Sequence, residues 1–126
     1  ESCIYSEDLD GIRAFYEGIL GLPVIAHVPE ELVFFRAGNS MLLCFNPERS
    51  AYKEEPPPHY GKGQLHLAFE TEKATYKSWK EALPKKGVLI EQVRPWKNGE
   101  KESFYFRDPA GNLVEILQKG IWDPNG

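Results

Sequence analysis

The chain has 126 residues, 41% of them apolar, 13% aromatic and 27% charged, which is globular composition and enough length to close one core of domain size. A formal net charge of -4 argues against a nucleic-acid surface, and no apolar run approaches the roughly 18 residues that a membrane span needs. A soluble, cytoplasmic chain without nucleic-acid or membrane partners is expected, with further residues upstream of Glu1, which stands where a Met would open a complete reading frame. Cys3 and Cys44 lack a secretory context and are expected as reduced, buried thiols.

Residues 1–6 read as a strand. Asp8 can cap a helix in which Leu9, Ile12, Tyr16 and Ile19 recur at helical spacing until Gly21 and Pro23 end the pattern. Strands follow at 24–28, 32–36 and 41–45, separated by turn residues, so the first half has the order βαβββ. Residues 47–63 are polar and proline-rich, with Pro56, Pro57 and Pro58 in succession, which suits an extended linker.

A second series begins near residue 64 with the apolar run 65–69. Thr71 then caps a helix with Tyr76, Trp79 and Leu83 on one side, ended by Pro84 and Gly87, and strands are expected at 88–93, 103–107 and 113–117. The order is again βαβββ. The segments FFRAGNSMLL (34–43) and YFRDPAGNLVEIL (105–117) share an aromatic residue, Phe-Arg, then Ala-Gly-Asn and an apolar strand. Two copies imply pseudo-twofold packing in one α+β domain over 1–126: module 1 about 1–46, module 2 about 64–119, and an open, curved mixed sheet with a concave face.

Strand alternation assigns faces. Leu65, Leu67 and Phe69 pack under the helices, sending Gln64, His66 and Ala68 inward. Phe104 and Phe106 pack likewise, sending Ser103, Tyr105 and Arg107 inward, and Val114 and Ile116 leave Glu115 inward beside Leu113 and Leu117. Ile4 packs while Glu1, Cys3 and Tyr5 point in. A carboxylate in LVEIL costs several kcal/mol if buried unpaired, so Glu115 needs a partner, either a cation such as Arg107 or a metal ion. His27 and His59 have no assigned role; for His27 a surface or packing position is favoured over one facing the cavity or a dimer contact. Arg107 opens the Asp108–Gly111 turn and either anchors it or meets a ligand, and Arg36 is its counterpart in the first copy.

EDLDGIRAFYEGILGL, GQLHLAFE and FYFRDPAGNLVEI together resemble the vicinal oxygen chelate superfamily, which includes glyoxalase I, extradiol dioxygenases, fosfomycin resistance enzymes and bleomycin resistance proteins. The resemblance covers almost the whole chain. It implies two βαβββ modules forming an open barrel around one divalent metal ion, usually in a homodimer. Carried over by residue, His66 matches the second-module histidine ligand and Glu115 the closing glutamate ligand. Glu1 stands where many members have a histidine, and Leu42 where glyoxalases have a fourth ligand. One imidazole and two carboxylates suit Mn, Fe(II), Ni or Mg, with weakened selection for Zn.

The resemblance further implies a metal-dependent lyase, isomerase or dioxygenase acting on a small oxygen-chelating substrate: a hydroxycarbonyl, a catechol or a thiol adduct. Tyr105 and Glu115 are the expected catalytic residues, with Arg36, Trp96 and Arg107 lining the substrate pocket. Tyr105 matches the tyrosine of the extradiol signature, but Trp96, Lys97 and Asn98 occupy the region where that signature has a histidine. The alternative is a metal-free binding protein of the bleomycin-resistance kind that sequesters an aromatic molecule with Trp96, Tyr60 and Trp122.

Overall fold

The computed structural model describes residues 1–124, which form two compact units: Glu1–Leu65 with Asp108–Gly111, and His66–Arg107 with the residues from Asn112 onward. Each unit carries one four-stranded mixed sheet, as the repeat predicts.

In the first unit β1 (Ser2–Tyr5) leads into α1 (Leu9–Arg13), whose Asp8 cap accepts from the Gly11 amide at 2.9 Å. The helix continues as a π-helical turn over Ala14–Ile19, where the Leu20 amide reaches back five residues to the Phe15 carbonyl at 3.0 Å. That wider turn shifts the buried face by one position. Leu9, Ile12, Phe15, Tyr16 and Leu20 are buried, while Ile19, expected in the core from regular helical spacing, is half-buried.

Strands β2 (Val24–Val28), β3 (Leu32–Ala37) and β4 (Ser40–Phe45) complete a sheet of order β1-β4-β3-β2 with β1 parallel to β4. Ile4, Val33, Phe35, Leu42 and Cys44 form its buried side against α1. Burial, reinforced by Asp108, raises the Cys44 thiol to about 12, whereas Cys3 is exposed, contrary to its expected burial. The Tyr16 hydroxyl donates to Asp108 Oδ2 at 2.7 Å, and burial followed by that carboxylate pushes the phenol pKa upward.

Register corrects the position of Leu42. Arg36 pairs with Met41 and Arg107 with Leu113, so Leu43, opposite Phe34, corresponds to Glu115, opposite Tyr105. The matching Ala-Gly-Asn letters hide one additional residue, Ser40, between Asn39 and Met41. A slip of one position turns a side chain to the other face of the sheet, so Leu42 lies under α1, 2% exposed.

The proline-rich segment contains a short helix α2 (Pro47–Ser50), absent from the sequence reading although Asn46 at the cap and Pro47 at the first turn announce it. Its Ser50 hydroxyl donates to the His59 carbonyl at 2.7 Å, and Tyr5 Oη lies 2.9 Å from His59 Nδ1. Gly61 lies against the face of the Tyr5 ring so closely that any β-carbon would strike it.

In the second unit β5 (His66–Thr71) is followed by α3 (Lys73–Lys85), capped at Glu72 and not at Thr71. The helix ends with the Gly87 amide on the Pro84 carbonyl and the Val88 amide on the Leu83 carbonyl, Gly87 taking φ +85°. This closure commits the Val88 amide to the helix end. The next strand therefore starts later than expected, as β6 (Gln92–Trp96), leaving Leu89 77% exposed. Strands β7 (Lys101–Arg107) and β8 (Leu113–Gln118) complete the order β5-β8-β7-β6, with β5 parallel to β8. Phe104, Phe106, Val114 and Ile116 are buried on the side shared with Tyr76 and Leu83 of α3.

Candidate functional site

The open face of the second sheet follows from its register. Arg107 pairs with Leu113 and Leu113 with His66; Gln92 pairs with Tyr105, Tyr105 with Glu115 and Glu115 with Ala68; Arg94 pairs with Ser103 and Ser103 with Leu117. Cross-strand partners share a face, so His66, Glu115, Tyr105, Arg107 and Ser103 stand together, as alternation predicts.

The pair at its centre is His66 and Glu115. His66 Nε2 lies 3.3 Å from Glu115 Oε1, with the imidazole half exposed and the carboxylate 9% exposed. His66 Nδ1 lies 2.9 Å from the Leu113 carbonyl. A carbonyl oxygen only accepts, so Nδ1 carries the proton and Nε2 turns its lone pair toward the carboxylate. Two acceptors at that distance repel unless a cation lies between them: a second imidazole proton or a metal ion.

The donor set fits an ion. Metal–ligand bonds of about 2.1 Å meeting at octahedral to tetrahedral angles place neighbouring donor atoms roughly 3.0–3.4 Å apart, the spacing of this pair. A main-chain carbonyl on the remote imidazole nitrogen is the support that metal-ligating histidines ordinarily have. The third expected ligand, Glu1, is exposed in the first unit, one residue before the Ser2–Leu42 pairing, so its register position corresponds to that of His66. Among the described residues no group of three His, Cys, Asp or Glu side chains is arranged to hold an ion.

Tyr105 stands opposite Glu115, its ring centroid 6.4 Å from that of His66. Trp96 Nε1–H, which can only donate, reaches Ser103 Oγ at 2.9 Å, and Ser103 Oγ donates on to Tyr105 Oη at 3.4 Å. Because the chain of donors runs toward it, the Tyr105 oxygen accepts a hydrogen bond and its own O–H is left to donate elsewhere. Trp96 thus contacts the tyrosine through Ser103, and its ring packs edge-on to Trp122 at 5.3 Å.

Arg107 is ion-paired with Glu91 at 3.0 Å on the rim of a cavity of about 440 Å³ lined also by Gln92, Arg94, Tyr105 and Leu113. Arg36 is exposed on β3 of the first unit, and Tyr60, also exposed, belongs to that unit. His27 is exposed, with Arg13 Nη1 3.4 Å from its Nδ1. Gln92 and Arg94 are additions to the residues found by sequence reasoning. The strand placed at 88–93 stopped short of Arg94 and gave no face for it; Gly87 before Val88 is the signal that would have moved the strand start.

Residues 2–116 match the family model described as Glyoxalase/Bleomycin resistance protein/Dioxygenase superfamily. The metallothiol transferase FosB of Bacillus licheniformis is 27% identical over 116 residues, covering 92% of this chain and 71% of that protein. Among solved structures, lactoylglutathione lyase from Agrobacterium tumefaciens superposes with a TM-score of 0.89 at 37% identity, covering 96% of this chain and 92% of the other. A mutant of the fosfomycin resistance protein FosX from Listeria monocytogenes, complexed with Mn(II) and 1S,2S-dihydroxypropylphosphonic acid, superposes with a TM-score of 0.68 at 21% identity, covering 93% and 86%, which is a likeness of fold.

Proposed function

Since the chain belongs to the glyoxalase/bleomycin resistance protein/dioxygenase superfamily, we propose that it is a divalent-metal-dependent enzyme acting on a small oxygen-chelating substrate, in which His66 Nε2 and the Glu115 carboxylate hold the ion. The observation that carries this reading is the pair of acceptors facing one another at 3.3 Å with the second imidazole nitrogen committed to a carbonyl. Glu1 is proposed as the third ligand because its strand position corresponds to that of His66. Mn, Fe(II), Ni, Mg and Zn are the candidate ions, and a homodimer is the proposed assembly.

When bound, such an ion supplies a Lewis acid for two substrate oxygens and stabilises charge that develops on them. The chain's own part is positional and protonic. Leu113 holds the imidazole in one tautomer and orientation. Tyr105, with its oxygen already hydrogen-bonded by Ser103, directs its hydroxyl proton to a substrate oxygen beside the pair, orienting it and donating as charge builds there. A carboxylate from Glu115 or Glu1 is a usable proton acceptor for the opposite step.

Metal titration tests this. The protein is expected to take up about one Mn(II) per chain by elemental analysis after desalting, and His66→Ala and Glu115→Ala each to weaken uptake by at least about tenfold, the cost of one ligand or its support. Undiminished metal content in His66→Ala overturns the ligand assignment. A protein that takes up no divalent ion but retains an aromatic molecule would instead be the metal-free binding protein, a reading that draws on the 72% exposed Trp122 and the 53% exposed Tyr60.

A further inference from the structure

Glu102 and Gln118 belong to the α3 side of the second sheet, since each adjoins a residue of the open face, Ser103 or Leu117. With Lys73, Lys77 and Lys80 of α3 they line a groove of about 560 Å³, the size of a small-molecule site. His66 and Glu115 stand on the other face of the same sheet, so the groove is separate from the pair assigned to the metal ion.

The side chains of the groove present donors, and its one carboxylate is already engaged. Glu102 accepts from Lys80 Nζ at 2.6 Å and from the Tyr76 hydroxyl at 3.1 Å. Gln118 Oε1 accepts the Glu102 amide at 2.9 Å, which orients the side-chain amide and leaves its NH2 group to donate. Lys73 and Lys77 are exposed and have no carboxylate within ion-pair distance among the described residues.

Charge points the same way. Three lysines against one glutamate leave two positive charges in excess here, on a chain whose formal net charge is -4. The lysines follow one another at i, i+4 and i+7, which sets them along one side of α3 over about 10 Å. Like charges at that spacing repel and weaken a helix, and Glu102 answers only Lys80. A ligand that removes the repulsion carries several negative charges in a row. Lysine heads are point charges without the planar fork that matches a carboxylate, and they serve phosphates well.

We propose that this groove is a second ligand site and that it takes an oligophosphate, free or as the phosphate chain of a nucleotide, with Lys73, Lys77 and Lys80 on its oxygens and the Gln118 amide donating beside them. Lys80, held by Glu102, is the fixed contact, and the exposed Lys73 and Lys77 adapt to the length of the chain.

Tripolyphosphate, orthophosphate, ATP and AMP are titrated calorimetrically into the full chain, freed of divalent ions so that chelation is not read as binding. Tripolyphosphate is expected to bind at least about tenfold more tightly than orthophosphate, with an affinity that falls as salt screens the exposed charges. ATP matching tripolyphosphate while AMP does not identifies a nucleotide, and ATP weaker than tripolyphosphate identifies a free oligophosphate. Lys73→Gln with Lys77→Gln, folding checked by thermal melting, is expected to weaken tripolyphosphate by about tenfold, and each substitution alone by about threefold, so the single variants decide if the pair melts early. Lys62→Gln with Lys85→Gln removes the same charge elsewhere and is expected to leave the affinity within about twofold, as distant exposed charges are screened. Equal binding of tripolyphosphate and orthophosphate, no binding of either, or equal losses in the two double variants overturns the proposal. None of these outcomes bears on His66 and Glu115, whose metal uptake is measured separately.

Discussion

Glu115 lies 7% exposed between Val114 and Ile116, and a buried carboxylate without a cation costs several kcal/mol. That single energetic conflict made both Glu115 and His66 legible from period-two alternation, since each falls on the face opposite an unbroken apolar set. Leu42 shows where letters mislead, because one inserted residue, Ser40, moves it from the open face to the side under α1. Leu42→Glu is therefore expected to lower unfolding free energy by on the order of 3 kcal/mol or more, equally with and without Mn(II), because the new charge is buried away from any ion. Denaturant midpoints measured in both conditions check this; rescue by Mn(II) would place Leu42 back beside the ion.

Within the second unit, α3 is fastened to β7 by one carboxylate. Glu102 accepts from Lys80 Nζ at 2.6 Å and from the Tyr76 hydroxyl at 3.1 Å, while its amide donates to Gln118 Oε1 at 2.9 Å. The Lys80 hydrogen bond, aided by Tyr76 and opposed by partial burial, holds the Glu102 pKa below the usual carboxylate value. A depressed native pKa means that the unfolded chain binds the proton more readily. The stabilisation is then complete above the ordinary glutamate pKa, near 4.3, and is lost as pH falls through the lower native value. Glu102→Gln is expected to flatten this acid limb in urea midpoints recorded from pH 6 to pH 2.5; an unchanged slope would assign the loss to other carboxylates. The helix itself was legible from Tyr76 and Leu83, but its fastening was not, since Lys80 and Glu102 are 22 residues apart and only the folded register brings them together.

For the molecule as a whole, the repeat was legible because both copies share element order and a turn motif, and each unit contains the same parallel pairing of first and last strands. Edge strand β2 of the first unit exposes Ile25 and Val28, and edge strand β6 of the second exposes Val93, apolar positions that a second copy can cover. Sedimentation equilibrium at micromolar concentration is expected to give the mass of two chains, and one-chain mass would exclude the homodimer. The wider turn at Ala14–Ile19 bears on how such a chain can change length over evolutionary time. A π-turn accommodates one residue more than the α-helical frame requires, and Gly18 within it is exposed, with no atom near its missing β-carbon. Loss of Gly18 would restore the ordinary frame and move Leu20 into the helical position that Ile19 now fills. A one-residue deletion inside this helix is therefore expected to leave the fold intact, so that descendants of one ancestor could differ in length at this point while keeping the same buried face.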